Sequence, residues 1–152
     1  RRQRQMCIRD RYDAVTEEAK NSDIIIKAAA VADYTPLNVS DNKIKKKDGD
    51  MSIALKRTKD IIGSLGEHKK EGQFICGFSM ETENVIANSK DKLIKKNMDM
   101  IVANNVKVAG AGFGTDTNVV TIITGEDNIE LPMMSKEDVA SKILDFIMAK
   151  RR

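Results

Sequence analysis

The chain has 152 residues, of which 41% are hydrophobic and 32% charged, with a formal net charge of +3. That length suffices for one domain with its own core, and the composition is that of an ordinary soluble globular protein. The small net charge, with two tyrosines, four phenylalanines and no tryptophan, argues against a nucleic-acid-binding protein, which usually combines basic patches with stacking aromatic side chains.

The apolar runs of the sequence are all shorter than the roughly 20 residues that a helix needs to cross a bilayer. We find no segment with the composition of a signal peptide. The two cysteines, Cys7 and Cys76, are too few for a disulfide-stabilised scaffold. These features favour a cytoplasmic protein that binds neither a membrane nor a nucleic acid.

Residues 1–11 are rich in arginine and show neither the period of a helix nor that of a strand. We therefore interpret them as a non-native or disordered arm and exclude them from the fold. Residues 12–152 are expected to form a single domain.

The predicted elements begin with a helix and a buried strand. Tyr12, Val15 and Ala19 are spaced as on the inner face of a helix that ends near residue 20. Residues 23–30 are almost continuously apolar, which is typical of a strand covered on both faces of a parallel sheet.

A hairpin is predicted next. Asp-Gly at residues 48–49 is a favoured hairpin turn. Residues 43–47 and 51–56 flank it, and apolar residues alternate with others in the second of these segments. The two segments are expected to pair and to project from the domain, with one apolar face.

The rest of the chain alternates helices and strands. The predicted elements are a helix at 60–65, a strand at 73–79, a helix from Thr82 to residue 97, strands at 98–103 and 118–124, and a terminal helix capped by Ser135. This alternation predicts an α/β fold, namely a Rossmann-like three-layer domain with a mostly parallel sheet and a projecting hairpin at about 43–56. The glycines at 110–114 lack the spacing of a dinucleotide-binding turn, which disfavours an NAD(P)-dependent reductase.

A nucleotide site is suggested by the run KAAAVADY at residues 27–34 and the run KIKK at 43–46. Alanines at a strand end let a ligand approach the backbone closely, while Asp33 and the lysines can hold ribose and phosphate groups. The alternatives are that Asp33 forms a turn and that the lysines protect an edge strand.

Two further signals are weak when taken alone. Lys92 and Lys96 leave the same face of a predicted helix, where they can bind a triphosphate or form a solvated basic face. Phe78 stands at a strand end, where α/β sheets bind ligands, or belongs to the core. The single histidine, His68, lies in a polar stretch, so histidine-based nucleophilic catalysis and a zinc site are not expected.

Five motifs occur in an order and spacing that resemble one family. They are AAAVADY at 28–34, KIKK at 43–46, GFSMET at 77–82, KLIKKNMD at 92–99 and IVAN at 101–104. The chain resembles the phosphopantothenoylcysteine synthetase domain of coenzyme A biosynthesis, which in bacteria is usually the C-terminal half of a bifunctional flavoprotein.

The resemblance implies a ligase that joins 4′-phosphopantothenate to cysteine. CTP would activate the carboxylate as an acyl-cytidylate with release of pyrophosphate, Mg²⁺ would bridge the phosphates, and the protein would be a homodimer. The sequence by itself favours neither CTP nor ATP. FMN would be bound only by a decarboxylase domain attached elsewhere.

The resemblance also implies roles for individual residues. Those expected at the nucleotide are Lys27, Ala28, Ala29, Asp33, Lys43, Lys59, Asp60, Ile61, Phe78, Lys92 and Lys96. Lys43 is the expected catalytic residue, since it would neutralise charge that develops at the phosphates, and Ala30 would approach the phosphopantothenate. No metal-ligating residue is assigned.

Some positions depart from the family pattern. Thr58-Lys59 stands where the family usually has Asn-Pro, and Lys27 stands where a small or apolar residue is common. The family's leading strand and Gly-rich turn have no counterpart here. We therefore expect a truncated synthetase domain that is poorly active or inactive alone, and the alternative function is a non-catalytic Rossmann-like nucleotide-binding module.

Overall fold

The computed structural model describes residues 8–45, 49–80, 84–105, 108 and 114–151, with only the backbone for Arg9. Its helices and strands follow in this order: α1 (Ile8–Glu18), a 3₁₀ turn (Ala19–Asn21), β1 (Ile24–Lys27), β2 (Tyr34–Pro36), β3 (Leu55–Arg57), α2 (Ile61–Glu67), β4 (Phe74–Met80), α3 (Val85–Lys95), β5 (Met100–Asn104), β6 (Thr117–Ile123), β7 (Asn128–Ser135) and α4 (Lys136–Lys150). None of the described helices is long and apolar enough to span a bilayer.

A mixed five-stranded sheet forms the centre of the described chain, in the order β1-β4-β5-β6-β7. The pairs β1–β4 and β4–β5 are parallel, and β6 is antiparallel to both of its neighbours. Every strand of this sheet except β6 therefore runs in the same direction. The expected mostly parallel sheet is confirmed.

Helices cover both faces of the sheet. Cys76, Met100 and Val102 pack with Val139, Ile143 and Ile147 of α4 on one face. On the other face, α1, α2 and α3 cover side chains that include Ile75 and Ile101. Because successive residues of a strand point to opposite faces, β4 and β5 contribute to both cores, and the three-layer architecture is confirmed.

The projecting hairpin was predicted at the wrong residues. The antiparallel pair consists of β2 and β3, with Tyr34 opposite Arg57 and Pro36 opposite Leu55. Residues 43–45 and 51–54 form no strand, and residues 46–48 lie outside the described part. The alternation at 51–56 misled the prediction because its apolar side chains meet no core: Met51 is 68% exposed and Ile53 58%.

Helix boundaries and faces also differ from the prediction. Helix α1 begins at Ile8, within the segment assigned to the arm, whereas residues 1–7 lie outside the described residues. The predicted cap Thr82 lies outside them too, and Asn84 precedes α3. Ser135 caps α4 as predicted, since its Oγ accepts a hydrogen bond from the Asp138 backbone N–H at 3.0 Å.

The buried faces of α3 and α4 are narrow. The apolar side chains of Ile94 in α3 and Met148 in α4 are 77% and 53% exposed. Each helix covers the sheet through a single row of buried residues, as Ser89 and Leu93 do in α3. The chain after residue 126 forms a complete strand, β7, which was not among the predicted elements.

Candidate functional site

Charged side chains from four segments act on the ammonium group of Lys27, the last residue of β1. They are Lys96 after α3, Asp60 before α2, Asp33 after β1 and Arg11 of α1. These five residues are called the Lys27 cluster below. The carboxyl ends of parallel strands are where open α/β sheets bind ligands, so the cluster lies where a ligand is expected.

Asp60 joins the start of α2 to Lys96. Its Oδ1 accepts the Gly63 N–H at 3.1 Å and so caps α2. Its Oδ2 lies 2.9 Å from Nζ of Lys96. Partial burial acts to raise the pKa of Asp60, but the hydrogen bonds from Lys96 and Gly63 and the nearby ammonium groups outweigh it, so the pKa lies below its ordinary value.

A glycine in α2 brings Lys96 to Asp60. A Cβ atom at Gly66 would lie 1.9 Å from the carbonyl oxygen of Lys96, so only glycine permits this approach of the two backbones. Nδ2 of Asn97 donates to the Gly66 carbonyl at 2.9 Å and strengthens the contact. The backbone of Lys96 is thereby fixed beside the last turn of α2. The side chain of Lys96 extends from there to Asp60, which caps the first turn of the same helix.

The loop after β1 is tied to the turn before α2. The Thr58 hydroxyl donates to the Ala32 carbonyl at 2.7 Å. The Thr58 backbone N–H donates to the Asp33 carbonyl at 2.9 Å. These contacts hold the loop that carries Asp33 against the turn that leads to Asp60.

Helix α1 supports the same turn from the other side. Nζ of Lys59 lies 4.4 Å from the centre of the Tyr12 ring, a cation–π contact. The Tyr12 hydroxyl forms a 2.8 Å hydrogen bond with Oγ of Ser64 in α2. Sequence reasoning missed Arg11 because residues 1–11 were set aside, although the spacing of Ile8 and Tyr12 on one helix face was an available signal. It placed Tyr12 on the inner face of a helix but predicted neither its contact with Lys59 nor its hydrogen bond with Ser64.

The electrostatics of the Lys27 cluster suit an anion. Burial lowers the pKa of Lys27, and the positive charges of Lys96 and Arg11 lower it further, against the opposing effect of Asp60 and Asp33. With Lys27 protonated, the cluster has three cations and two carboxylates. A phosphate group beside Lys27 would supply the missing negative charge and favour its ammonium form.

Several predicted site residues lie outside these contacts. Lys43 is exposed and makes no hydrogen bond or ion pair to another described residue. Lys92 is exposed on α3, one turn before Lys96. Ala28, Ala29 and Ala30 form an exposed stretch directly after Lys27, where a ligand has access to their backbone.

Phe78 and Ile61 are both part of the hydrophobic cores. Phe78 packs with the residues under α4, on the face of the sheet opposite to that of Ile25 and Lys27. Ile61 is 3% exposed, so only its backbone is available to a ligand. A nucleotide would have to cross the edge of the sheet to touch Phe78 and Lys27 together.

The described residues offer little besides this charge arrangement. Among them, no group of three or more His, Cys, Asp or Glu side chains could hold a metal ion. His68 is exposed, as predicted. Burial, with the negative charge of Asp99, raises the pKa of Cys76 to about 12, so this thiol is no nucleophile at neutral pH. A cavity of about 370 Å³ between α1 and α2 is lined by Tyr12 and His68 and by none of Lys27, Asp60 and Lys96.

Fold and charges together describe an α/β domain with a charge arrangement that suits an anion at the carboxyl end of its first strand. The chain belongs to the family of the DNA/pantothenate metabolism flavoprotein C-terminal domain, whose model matches residues 4–150.

Two named relatives match most of the chain. The chain is 52% identical over 141 residues to the coenzyme A biosynthesis bifunctional protein CoaBC of Bacillus subtilis (strain 168), a match that covers 92% of this chain and 34% of that protein. It is 47% identical over 137 residues to a cysteine/cysteine sulfinic acid decarboxylase of an unknown prokaryotic organism, covering 90% of this chain and 38% of that protein. The chain thus spans about a third of the length of the curated relatives it matches.

A solved structure shares the fold. The crystal structure of the C-terminal domain of CoaBC superposes with a TM-score of 0.75 at 42% sequence identity, covering 93% of this chain and 63% of that one. The resemblance seen in the sequence motifs is confirmed at the level of the family.

Proposed function

We propose that this domain carries out the joining of 4′-phosphopantothenate to cysteine in coenzyme A biosynthesis, with CTP as co-substrate. The observation that carries the proposal is the 2.9 Å contact between Lys96 and Asp60 beside the partly buried Lys27. These residues belong to a chain that is 52% identical to part of a coenzyme A biosynthesis protein.

The proposed chemistry needs cations more than a base. The carboxylate of phosphopantothenate is already an anion; it attacks the α-phosphorus of CTP, and the bond to pyrophosphate breaks. The amine of cysteine then attacks the acyl carbon, CMP leaves, and the amine loses a proton. Alignment and charge stabilisation carry the first step, which suits a site made of lysines.

In this proposal Lys27, Lys96 and Lys92 bind the triphosphate, while the backbone at Ala28 and Ala29 approaches the nucleotide. Lys59, Asp60 and Ile61 contribute the turn before α2. Asp33 contacts the nucleotide from the loop after β1, Phe78 lies beside it, and Ala30 approaches phosphopantothenate.

Lys43 acts as the catalytic cation from the exposed segment of residues 37–45. Mg²⁺ would enter with the nucleotide and would neutralise charge on its phosphates, which needs few protein ligands, since magnesium is usually held by one or two carboxylates together with phosphates and water. FMN has no role unless a decarboxylase domain is attached elsewhere.

We also propose that the protein is a cytoplasmic homodimer. Apolar side chains of the segment 37–55 are exposed, including Val39 at 84% and Ile44 at 64%. A second copy of the chain that covers this segment would remove this apolar surface from water.

Ligand-dependent melting tests the nucleotide assignment. CTP with Mg²⁺ should raise the melting temperature more than ATP does, and NADPH should leave it unchanged, because a ligand that binds only the folded state stabilises it. An equal shift with NADPH, or no shift with CTP at millimolar concentration, would contradict the proposal.

Pyrophosphate release with CTP, phosphopantothenate and cysteine tests the ligase chemistry separately. We expect slow release or none from this chain alone, and faster release from a version extended to the length of its relatives. CTP binding by the extended version without any release would support the alternative, a non-catalytic nucleotide-binding module.

A further inference from the structure

The loop after β1 carries Asp33, one of the carboxylates that act on Lys27, but it has no regular structure of its own. Residues 28–33 lie between β1 and β2 and are mostly exposed. Such a loop samples many conformations unless something outside it fixes its backbone. The position of Asp33 relative to Lys27 therefore depends on contacts made from another part of the chain.

Thr58 supplies two of these contacts. Its hydroxyl donates to the carbonyl of Ala32 at 2.7 Å, across 26 positions of sequence. Its backbone N–H donates to the carbonyl of Asp33 at 2.9 Å, which extends the β2–β3 pairing by one step. Two neighbouring carbonyls of the loop are thus held by one residue.

Thr58 is also close in sequence to Asp60, the other carboxylate of the Lys27 cluster. Thr58 stands two positions before Asp60, whose carboxylate caps α2 and contacts Lys96. The α2 cap fixes Asp60, and the Thr58 contacts fix the loop to that turn. The turn of residues 58–60 therefore holds both carboxylates, Asp33 and Asp60, that act to raise the pKa of Lys27.

We propose that Thr58 is a positioning residue of the nucleotide site: its hydroxyl fixes the loop of residues 28–33, so that Asp33 and the strand-end alanines keep the geometry that a nucleotide requires. The inference rests on the proposed nucleotide-binding function and adds a role to it. The side chain acts through the carbonyl of Ala32 and touches no reacting atom.

The test compares Thr58→Val with Thr58→Ser. Valine keeps the shape of threonine but removes the donor, whereas serine keeps the donor. Thr58→Val should weaken CTP binding by about three- to tenfold, the range expected for one lost hydrogen bond, and Thr58→Ser should restore most of it. Thr16→Val is the matched control, because Thr16 donates to the Tyr12 carbonyl within α1 at 2.9 Å and lies in no part of the proposed site.

Amide hydrogen exchange of the ligand-free protein separates the loop contact from nucleotide binding. Amides of residues 28–34 should exchange several-fold faster in Thr58→Val than in the unsubstituted protein or in Thr58→Ser, while those of β4 stay unchanged. Equal loop exchange and equal CTP affinity in all variants would overturn the proposal, as would an equal loss of affinity in Thr16→Val.

A chain that binds no CTP at all would contradict the proposed function itself. Faster loop exchange in Thr58→Val would then still establish the loop contact, while the positioning role in nucleotide binding would be refuted. The two failures therefore give different results.

Discussion

The Lys27 cluster and the segment of residues 37–54 both carry lysines assigned to one nucleotide site, but the backbone fixes them very differently. Lys96 is held by the contact of its own carbonyl with Gly66 and by its 2.9 Å contact with Asp60. Lys43 is exposed on a segment whose described residues form neither helix nor strand. The comparison separates one part of the proposed site that packed elements hold from another part whose described residues are exposed and lie outside helices and strands.

The difference has a physical origin. Lys27, Asp60, Lys96 and Arg11 lie on or next to elements that pack around the core of α1, α2 and α3, which fixes their backbone, while the loop of Asp33 is held by Thr58. The segment 37–54 exposes apolar side chains such as Val39 and Ile53 and has no core beneath it. Substitutions that disturb the backbone contact at Gly66 or the cap of α2 should therefore change folding stability more than substitutions in the second region.

Gly66→Ala should have the largest effect on folding. The added methyl would overlap the Lys96 carbonyl, which is backbone and cannot turn away, so the two helices must separate. We expect a loss of about 2–3 kcal/mol in the free energy of unfolding, measured by urea denaturation. Gly125→Ala is the matched control, because a Cβ there meets nothing within 4 Å; equal stability of the two variants would contradict the close-approach argument.

Asp60→Ala should come next, with a loss of about 1–2 kcal/mol, because it removes both the cap of α2 and the partner of Lys96. Asp60→Asn keeps a capping oxygen but not the charge, so it should lose less folding stability than Asp60→Ala.

The pKa of Asp60 is lowered in the folded state, so its charge stabilises the fold above the ordinary carboxyl pKa, and this contribution disappears as the pH falls through the lowered pKa. Urea denaturation at neutral and acidic pH should show the gap between Asp60→Asn and the unsubstituted protein closing on acidification; a constant gap would contradict the assignment.

Lys27→Met should stabilise the protein slightly, by less than about 1 kcal/mol at pH 7. The folded state lowers the pKa of Lys27, so the charged form is disfavoured by folding at neutral pH. As the pH rises from the lowered pKa toward the ordinary value, the unfolded chain holds more protons than the folded one. The folding stability of the unsubstituted protein therefore rises toward that of Lys27→Met. Melting temperatures of both proteins at pH 7 and pH 10 give the comparison; a stability gap that widens at pH 10 would show that the sign is wrong.

Lys43→Ala should have the smallest effect on folding, within about 0.5 kcal/mol, because the side chain is exposed. Its effect on catalysis should be large in a version extended to the length of the relatives: pyrophosphate release should slow by about a hundredfold or more. An unchanged rate would remove Lys43 from the mechanism, and a large loss of stability would contradict the description of its segment.

The sequence predicted those parts of the fold that local patterns determine. The buried strand around Ile75 and the cap at Ser135 follow from continuous apolar composition and from capping chemistry. The hairpin was misplaced because an alternating pattern does not reveal whether a core lies beneath it, and Met51 and Ile53 have none. The contacts between residues of the proposed site could not be predicted from the sequence either.

The pairing of Lys96 with Asp60 shows why. Both residues were assigned to the nucleotide, yet nothing local in the sequence links them. Their contact depends on the approach of two backbones at Gly66, 30 positions before Lys96 in the chain. A tertiary contact of this kind becomes visible only when the helices are placed in space.

Calorimetric titration of CTP against Lys96→Met is the most direct test of the nucleotide site. Methionine keeps much of the length of the side chain but removes its charge, and Lys142→Met provides the control on the exposed side of α4. The account predicts that the Lys96 variant binds CTP at least about tenfold more weakly, while the Lys142 variant binds like the unsubstituted protein. Equal CTP affinity in all three proteins would contradict the claim that the Lys27 cluster holds the triphosphate.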